Sequence, residues 1–174
     1  NLFLADIGQD QVEEISLVRA GVNLGWNKWE GSFRFDRGID PSNPRADPGV
    51  TYPIVEVGHR DPLLQSRSAL TIGGVYRGTA IAALRNVLVF GEIVSGEIFY
   101  VDADNLPSGG KGAVRRVLVS EGRAGTRLLD VIRAEAARRG KPEPSRADLR
   151  FGRGPQGQIF LLNKGDGVVR VMEP

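Results

Sequence analysis

NLFLADIGQDQVEEISLVRAGVNLGWNKWEG, residues 1–31, decides the fold. Leu2, Phe3 and Leu4 are apolar, and Asp6, Ile7 and Gly8 then turn, which predicts a strand running straight off the first residue. A chain that opens inside a strand, with no Met, no leader and no polar lead-in, reads as the later part of a larger fold. Its function is therefore expected to be shared with residues beyond this stretch.

The rest of the chain repeats that texture. Runs 15–18, 52–57, 74–76, 87–90, 97–101, 114–119, 158–162 and 168–172 have strand length and β-rich composition. Turn residues separate them at Ala20-Gly21, Ser108-Gly109-Gly110, Gly154-Pro155-Gln156-Gly157 and Lys164-Gly165-Asp166-Gly167. Many short strands at near-regular spacing predict an all-β sandwich, barrel or propeller. Residues 1–6, 86–92 and 157–163 share one motif, a small turn, an apolar strand, then Asp, Glu or Asn, and such weak internal repetition suits propeller blades. A blade takes roughly 40–50 residues, so the chain would supply about three to four of them. Two segments break the pattern. Residues 33–50, polar and Pro-rich, read as a long ordered loop. Residues 126–139 (TRLLDVIRAEAARR) read as an inserted helix with Leu128, Ile132 and Ala136 on one face and Gly140 and Pro142 as its stop.

Bulk properties remove several function classes. With 174 residues, 41% hydrophobic and 25% charged, the chain can bury a real core. Lys+Arg 23 against Asp+Glu 21 leaves +2, an excess too small and too scattered for a nucleic-acid surface. Without cysteine there is neither a disulfide framework nor a thiolate metal site. No run approaches the ~18 apolar residues of a membrane helix.

The stretch ADIGQDQVEEISLVRAGVNLGW (5–26) resembles the D-V-G-Q-N-x-x-E-E-I-N … G-G-N-Y-G-W-P-x-x-E-G signature of the soluble quinoprotein glucose/sorbosone dehydrogenases, also called aldose sugar dehydrogenases. Residues 52–56 with His59, GGVYRG at 73–78, 80–84 and 89–91 are similar to a second stretch of that family, and 150–152 with 157–164 to its final strand pair. The resemblance covers most of the chain, with 126–139 as an insertion. It implies the C-terminal portion of a single six-bladed β-propeller spanning 1–174, with the N-terminal blades absent.

Further expectations follow from the resemblance. The family binds pyrroloquinoline quinone (PQQ) and calcium. It oxidises the anomeric carbon of an aldose to a lactone, typically in the periplasm or outside the cell. By position, the Gly8 and Gln9 carbonyls would bind the calcium that bridges to PQQ, which suits a cation that prefers hard oxygens. Glu14 falls where the family places a carboxylate for a structural calcium; read locally, Glu13 and Glu14 are equally solvent-facing strand-end charges. Arg77 matches a basic residue that pairs with a PQQ carboxylate, a role a guanidinium fork fills well. Tyr76 reads as core or as a cleft wall. His59, the only histidine, matches one in a loop over the cleft, where it would touch cofactor or substrate or simply tie the loop down. The catalytic histidine of the family comes from its N-terminal half. Asn23 and Gly25 read as a turn, and Trp26 as packing between blades.

At 90–99 (FGEIVSGEIF) Glu97 stands where members of the family carry an arginine, and before VYRG the family's T-G-G becomes Thr71-Ile72-Gly73. A carboxylate facing an anionic cofactor repels it, whereas one pointing to solvent has no bearing on it. Two readings therefore stand: a PQQ-dependent sugar dehydrogenase, and a non-catalytic propeller that binds or scaffolds after losing the cofactor.

Overall fold

The computed structural model describes residues 1–37, 42–64, 69–119 and 125–174. Part of the expected Pro-rich loop, 38–41, lies outside them. The chain divides into two compact units, residues 1–70 with 106–113, and residues 71–105 with 114–174.

The first unit holds β1 (Leu2–Asp6), β2 (Val12–Val18), β3 (Trp29–Glu30), β4 (Phe33–Arg34) and β5 (Val55–Gly58). Strands β1, β2 and β5 form an antiparallel sheet in that order, and β3 and β4 form a separate two-residue hairpin. Because β2 is the middle strand, Val12, Glu13, Glu14, Ile15 and Ser16 are all buried. Glu13 and Glu14 are thus not strand-end charges in solvent: they lie inside the unit on opposite faces of one strand. The turn at 25–29 sends the two tryptophans to opposite sides. The Gly25 carbonyl accepts from the Lys28 and Trp29 amides at 2.9 and 3.0 Å. That tight turn carries Trp29 inward, edge-on to Tyr52 at 5.3 Å between ring centroids. Trp26 is left outside, 57% exposed, against Phe35.

The second unit is built on β6 (Leu70–Val75, whose first residue belongs to the first unit), β7 (Val87–Glu92), β8 (Ile98–Asp102), β9 (Arg115–Val117), α1 (Leu128–Arg138), β10 (Leu149–Arg153), β11 (Ile159–Asn163) and β12 (Val168–Val171). Strands β6 to β9 form a four-stranded sheet in chain order, and β10 to β12 a three-stranded one. Helix α1 buries Leu128, Val131, Ile132 and Ala136. The first and third of these join Tyr76, Val89, Leu149 and Ile159 in one apolar core. The Gly154–Gly157 turn between β10 and β11 packs on the backbone of Arg77 and Gly78: the Gly78 amide donates to the Gly157 carbonyl at 3.1 Å. A Cβ on Gly157, whose φ is +79°, would stand 2.5 Å from the Arg77 carbonyl carbon. Among the described residues no helix is long and apolar enough to cross a membrane.

Candidate functional site

The β1–β2 pairing sets Asp6 opposite Glu14, and the β2–β5 pairing sets Glu14 opposite Glu56. Residues directly opposite in an antiparallel sheet share a face. Three carboxylates therefore lie in one row across the first unit's sheet, and the β3–β4 hairpin brings a fourth, Glu30, to the same face.

Their hydrogen bonding divides them. Glu56 is satisfied: its oxygens accept from the Ser32 amide at 2.5 Å, from Arg45 Nη2 at 2.9 Å and from the Gly110 amide at 3.2 Å. Glu30 is satisfied on one oxygen only. Its Oε1 gathers the amides of Asp10, Gln11 and Val12 at 3.1, 2.7 and 2.9 Å, fixing the turn after Gly8. Its Oε2 is buried with no hydrogen-bond partner among the described residues. Glu14 is buried and takes a backbone bond from Gly31. Burial, followed by the charges of Asp6, Glu30 and Glu56, pushes its carboxyl up to about 8. Burying carboxylates beside one another is costly unless a proton or a cation compensates.

Asp6, Gly8, Gln9, Glu14, Trp26 and Glu30 line one cavity of about 290 Å³. The structure thus brings together Gly8, Gln9 and Glu14, the three positions singled out for metal binding. Gly8 is required there by close approach: a Cβ would meet the Val12 carbonyl oxygen at 1.9 Å and Glu30 Oε1 at 2.7 Å. Among the described residues no group of three or more His, Cys, Asp or Glu side chains is arranged to hold a metal ion. A cation in this cavity would have to draw part of its shell from backbone carbonyls and water. A hard-oxygen set of that kind, with an orphaned buried carboxylate oxygen in it, fits calcium.

Asp6, Glu30 and Glu56 were not among the residues expected. For Glu30 the signal is in the sequence, since Glu30-Gly31 matches the E-G that closes the family's first signature. Asp6 and Glu56 are identified only by strand register.

The remaining expected residues lie elsewhere. His59 is partly exposed, its Nε2 2.9 Å from Glu13 Oε1. Tyr76 is wholly buried in the second unit's core, with its hydroxyl accepting from the Ile81 amide at 3.2 Å. It is a core residue rather than a cleft wall. Arg77 is exposed, and its Nη1 donates to Asn86 Oδ1 at 2.6 Å; Asn86 in turn donates to Asp104 at 2.9 Å. Glu97 neither projects into solvent nor carries a bare charge. It is buried, with Arg116 Nε at 2.6 Å and Arg127 Nε at 3.0 Å.

No family model matches the chain. Among curated proteins, HIPL2 protein of Arabidopsis thaliana is 34% identical over 74 residues, 41% of this chain and 10% of its own length. HIPL1 protein of the same plant is 30% identical over 74 residues, 41% of this chain and 11% of its own. Among solved structures, a glucose dehydrogenase aligns over 98% of this chain and 40% of its own, at TM-score 0.55 and 16% identity. The soluble aldose sugar dehydrogenase (Asd) of Escherichia coli in its apo form aligns over 99% and 41%, at 0.55 and 17%. A further glucose dehydrogenase aligns over 99% and 40%, at 0.57 and 19%. The chain therefore resembles soluble glucose and aldose sugar dehydrogenases in fold, and spans about two fifths of their length.

Proposed function

We propose that the chain is part of a PQQ-dependent sugar dehydrogenase, three to four blades of one six-bladed propeller, to which it brings a calcium site and a cofactor-pairing arginine. The observation that carries the reading is the cavity of Gly8, Gln9, Glu14 and Glu30 with its unpartnered Glu30 Oε2, in a chain of the sugar-dehydrogenase fold. Carbonyls of Gly8 and Gln9 with the carboxylates of Glu14 and Glu30 would hold calcium. The Arg77 guanidinium, oriented by Asn86, would pair with a carboxylate of PQQ. When bound, these groups supply a Lewis acid and a two-electron acceptor for oxidising the anomeric carbon of an aldose to a lactone. His59 is not given the proton-accepting role, since Glu13 engages its Nε2; by the resemblance, that base lies N-terminal to this stretch. The setting in this reading is the periplasm or the exterior, where calcium and PQQ are available.

The alternative, a non-catalytic propeller, rested on Glu97 opposing the cofactor. With Arg116 and Arg127 on that carboxylate, its charge is compensated within its own unit, and nothing specific favours the alternative.

The test is a titration of the full-length protein with PQQ, with and without calcium, followed by the cofactor's absorbance. Saturable, calcium-dependent binding is the expected result, and aldoses are then assayed with a dye acceptor. An absence of binding at high micromolar PQQ with calcium present would sink the reading.

A further inference from the structure

Glu13 and Glu14 are sequence neighbours facing opposite sides of β2, and Gly8 stands between what each side holds. On the cavity side, Gly8 packs so closely on the Val12 carbonyl and on Glu30 that no Cβ fits. On the other side Glu13, wholly buried, accepts three donors: Oε1 takes the Gly8 amide at 3.2 Å and faces His59 Nε2 at 2.9 Å, and Oε2 takes the Leu70 amide at 2.8 Å. The His59 amide itself donates to the Gln11 carbonyl at 2.7 Å, so the imidazole is anchored to the turn it reaches. One carboxylate oxygen is therefore shared between the single histidine and the backbone that walls the cavity.

We infer that His59 is a positioning residue for the Gly8–Gln9 wall: its Nε2–H holds the Glu13 carboxylate against the Gly8 amide, and so sets where the carbonyls of Gly8 and Gln9 stand. The inference deepens the calcium reading and rests on it for its consequence, though not for its geometry. Groups that line metal sites depend in this way on the residues behind them, whose loss typically costs about 10–100-fold in metal affinity. A purely structural pair would stabilise the fold without regard to which donor is present, and would leave the metal affinity alone.

The test compares His59→Gln, which keeps an N–H donor at similar reach, with His59→Leu, which does not. Calcium affinity is measured by calorimetry on the full-length protein. A loss of about tenfold or more in His59→Leu, with His59→Gln close to wild type, is expected. Equal affinities in all three proteins would overturn the inference. A second arm needs neither calcium nor a folded variant. In ¹⁵N-glycine-labelled wild-type protein, the Gly8 amide resonance should follow the titration of the His59 ring read from its own carbon-bound protons. Among the described residues, the charged groups near that ring are Glu13 on β2, Asp10, Arg60 and Asp61 around the adjoining cavity, and Lys111, which pairs with Asp61. A Gly8 resonance that stays flat through the His59 titration overturns the positioning role. Failure of wild-type protein to bind calcium, with Gly8 still tracking His59, would remove the calcium reading and leave the positioning intact.

Discussion

At the scale of single residues, Glu14 carries the most consequence. Its carboxyl is pushed from an ordinary 4.5 to about 8, first by burial and then by Asp6, Glu30 and Glu56. The folded protein thus holds this proton more tightly than the unfolded chain does. Stability is unaffected below the unfolded value, falls as pH rises from about 4.5 to 8, and levels off above. Each pH unit in that window costs up to about 1.4 kcal/mol. Glu13, raised by its own burial, acts in the same sense, so the Glu14 share is read as the difference from Glu14→Gln. Melting temperatures measured between pH 5 and 8 in chelator should fall more steeply in the wild type than in Glu14→Gln. Millimolar calcium should restore the wild type at pH 8 and leave the variant unmoved. Parallel slopes, with equal calcium shifts, would show that Glu14 is not the titrating ligand. That Gly8, Gln9 and Glu14 stand together at one cavity was legible because they sit in one contiguous motif. Asp6 and Glu56 were not: they meet Glu14 only through the β1–β2–β5 register, which periodicity does not specify. The partners of Glu97 were hidden for the same reason, its arginines arriving from β9 and from the entry to α1.

At the scale of elements, the strands visible in sequence were those with apolar runs bounded by turn residues, and α1 was visible through its stripe of Leu128, Ile132 and Ala136. Strand β10, LRFGR, alternates arginine and glycine with apolar residues and shows no β-branched run, so only the resemblance pointed to it. The two-residue strands β3 and β4 lie in turn-rich sequence and owe their pairing to the hairpin that carries Glu30. Glycine at a turn has two separable causes, and Gly157 and Gly167 separate them. Gly157 and Gly167 both have positive φ, +79° and +70°. A Cβ at Gly167 would meet nothing within 4 Å, whereas one at Gly157 would strike the Arg77 and Gly78 backbone at 2.5–2.7 Å. Gly167→Ala should therefore cost about 1–2 kcal/mol, the left-handed strain alone. Gly157→Ala adds a backbone clash, for a total of about 3 kcal/mol or more. Urea midpoints measure both. Equal losses would mean that the close approach to Arg77 is not what selects glycine at 157.

At the scale of the whole chain, the question is what its sheets leave unpaired. Strand β1 lies at one edge of its sheet and β12 at one edge of another. Charge is sparse along both edges, Asp6 at the end of β1 and Arg170 within β12. Along β1, Leu2 and Leu4 are exposed, and along β12 so are Val169 and Val171. β12 holds one charged residue, Arg170, and its side chain is tied to Asn163 and Asp166 rather than standing out from the edge. An exposed apolar edge is a template for another strand, and the dehydrogenases of this fold are about two and a half times as long as this chain (it covers 40% of one of them). Expressed as these 174 residues, the chain should self-associate in a concentration-dependent way by light scattering after size exclusion. Lysines at Val169 and Val171, whose side chains stand on the exposed side of β12, place charge on that edge at little cost to the core, and should shift the chain toward monomer. In the six-bladed protein proposed above, the same substitutions would have a different meaning. If β12 is covered there by another strand, Val169→Lys and Val171→Lys should lower the melting temperature by several degrees while leaving the oligomeric state unchanged. A full-length protein indifferent to both lysines would mean that this edge is open to solvent in the complete molecule.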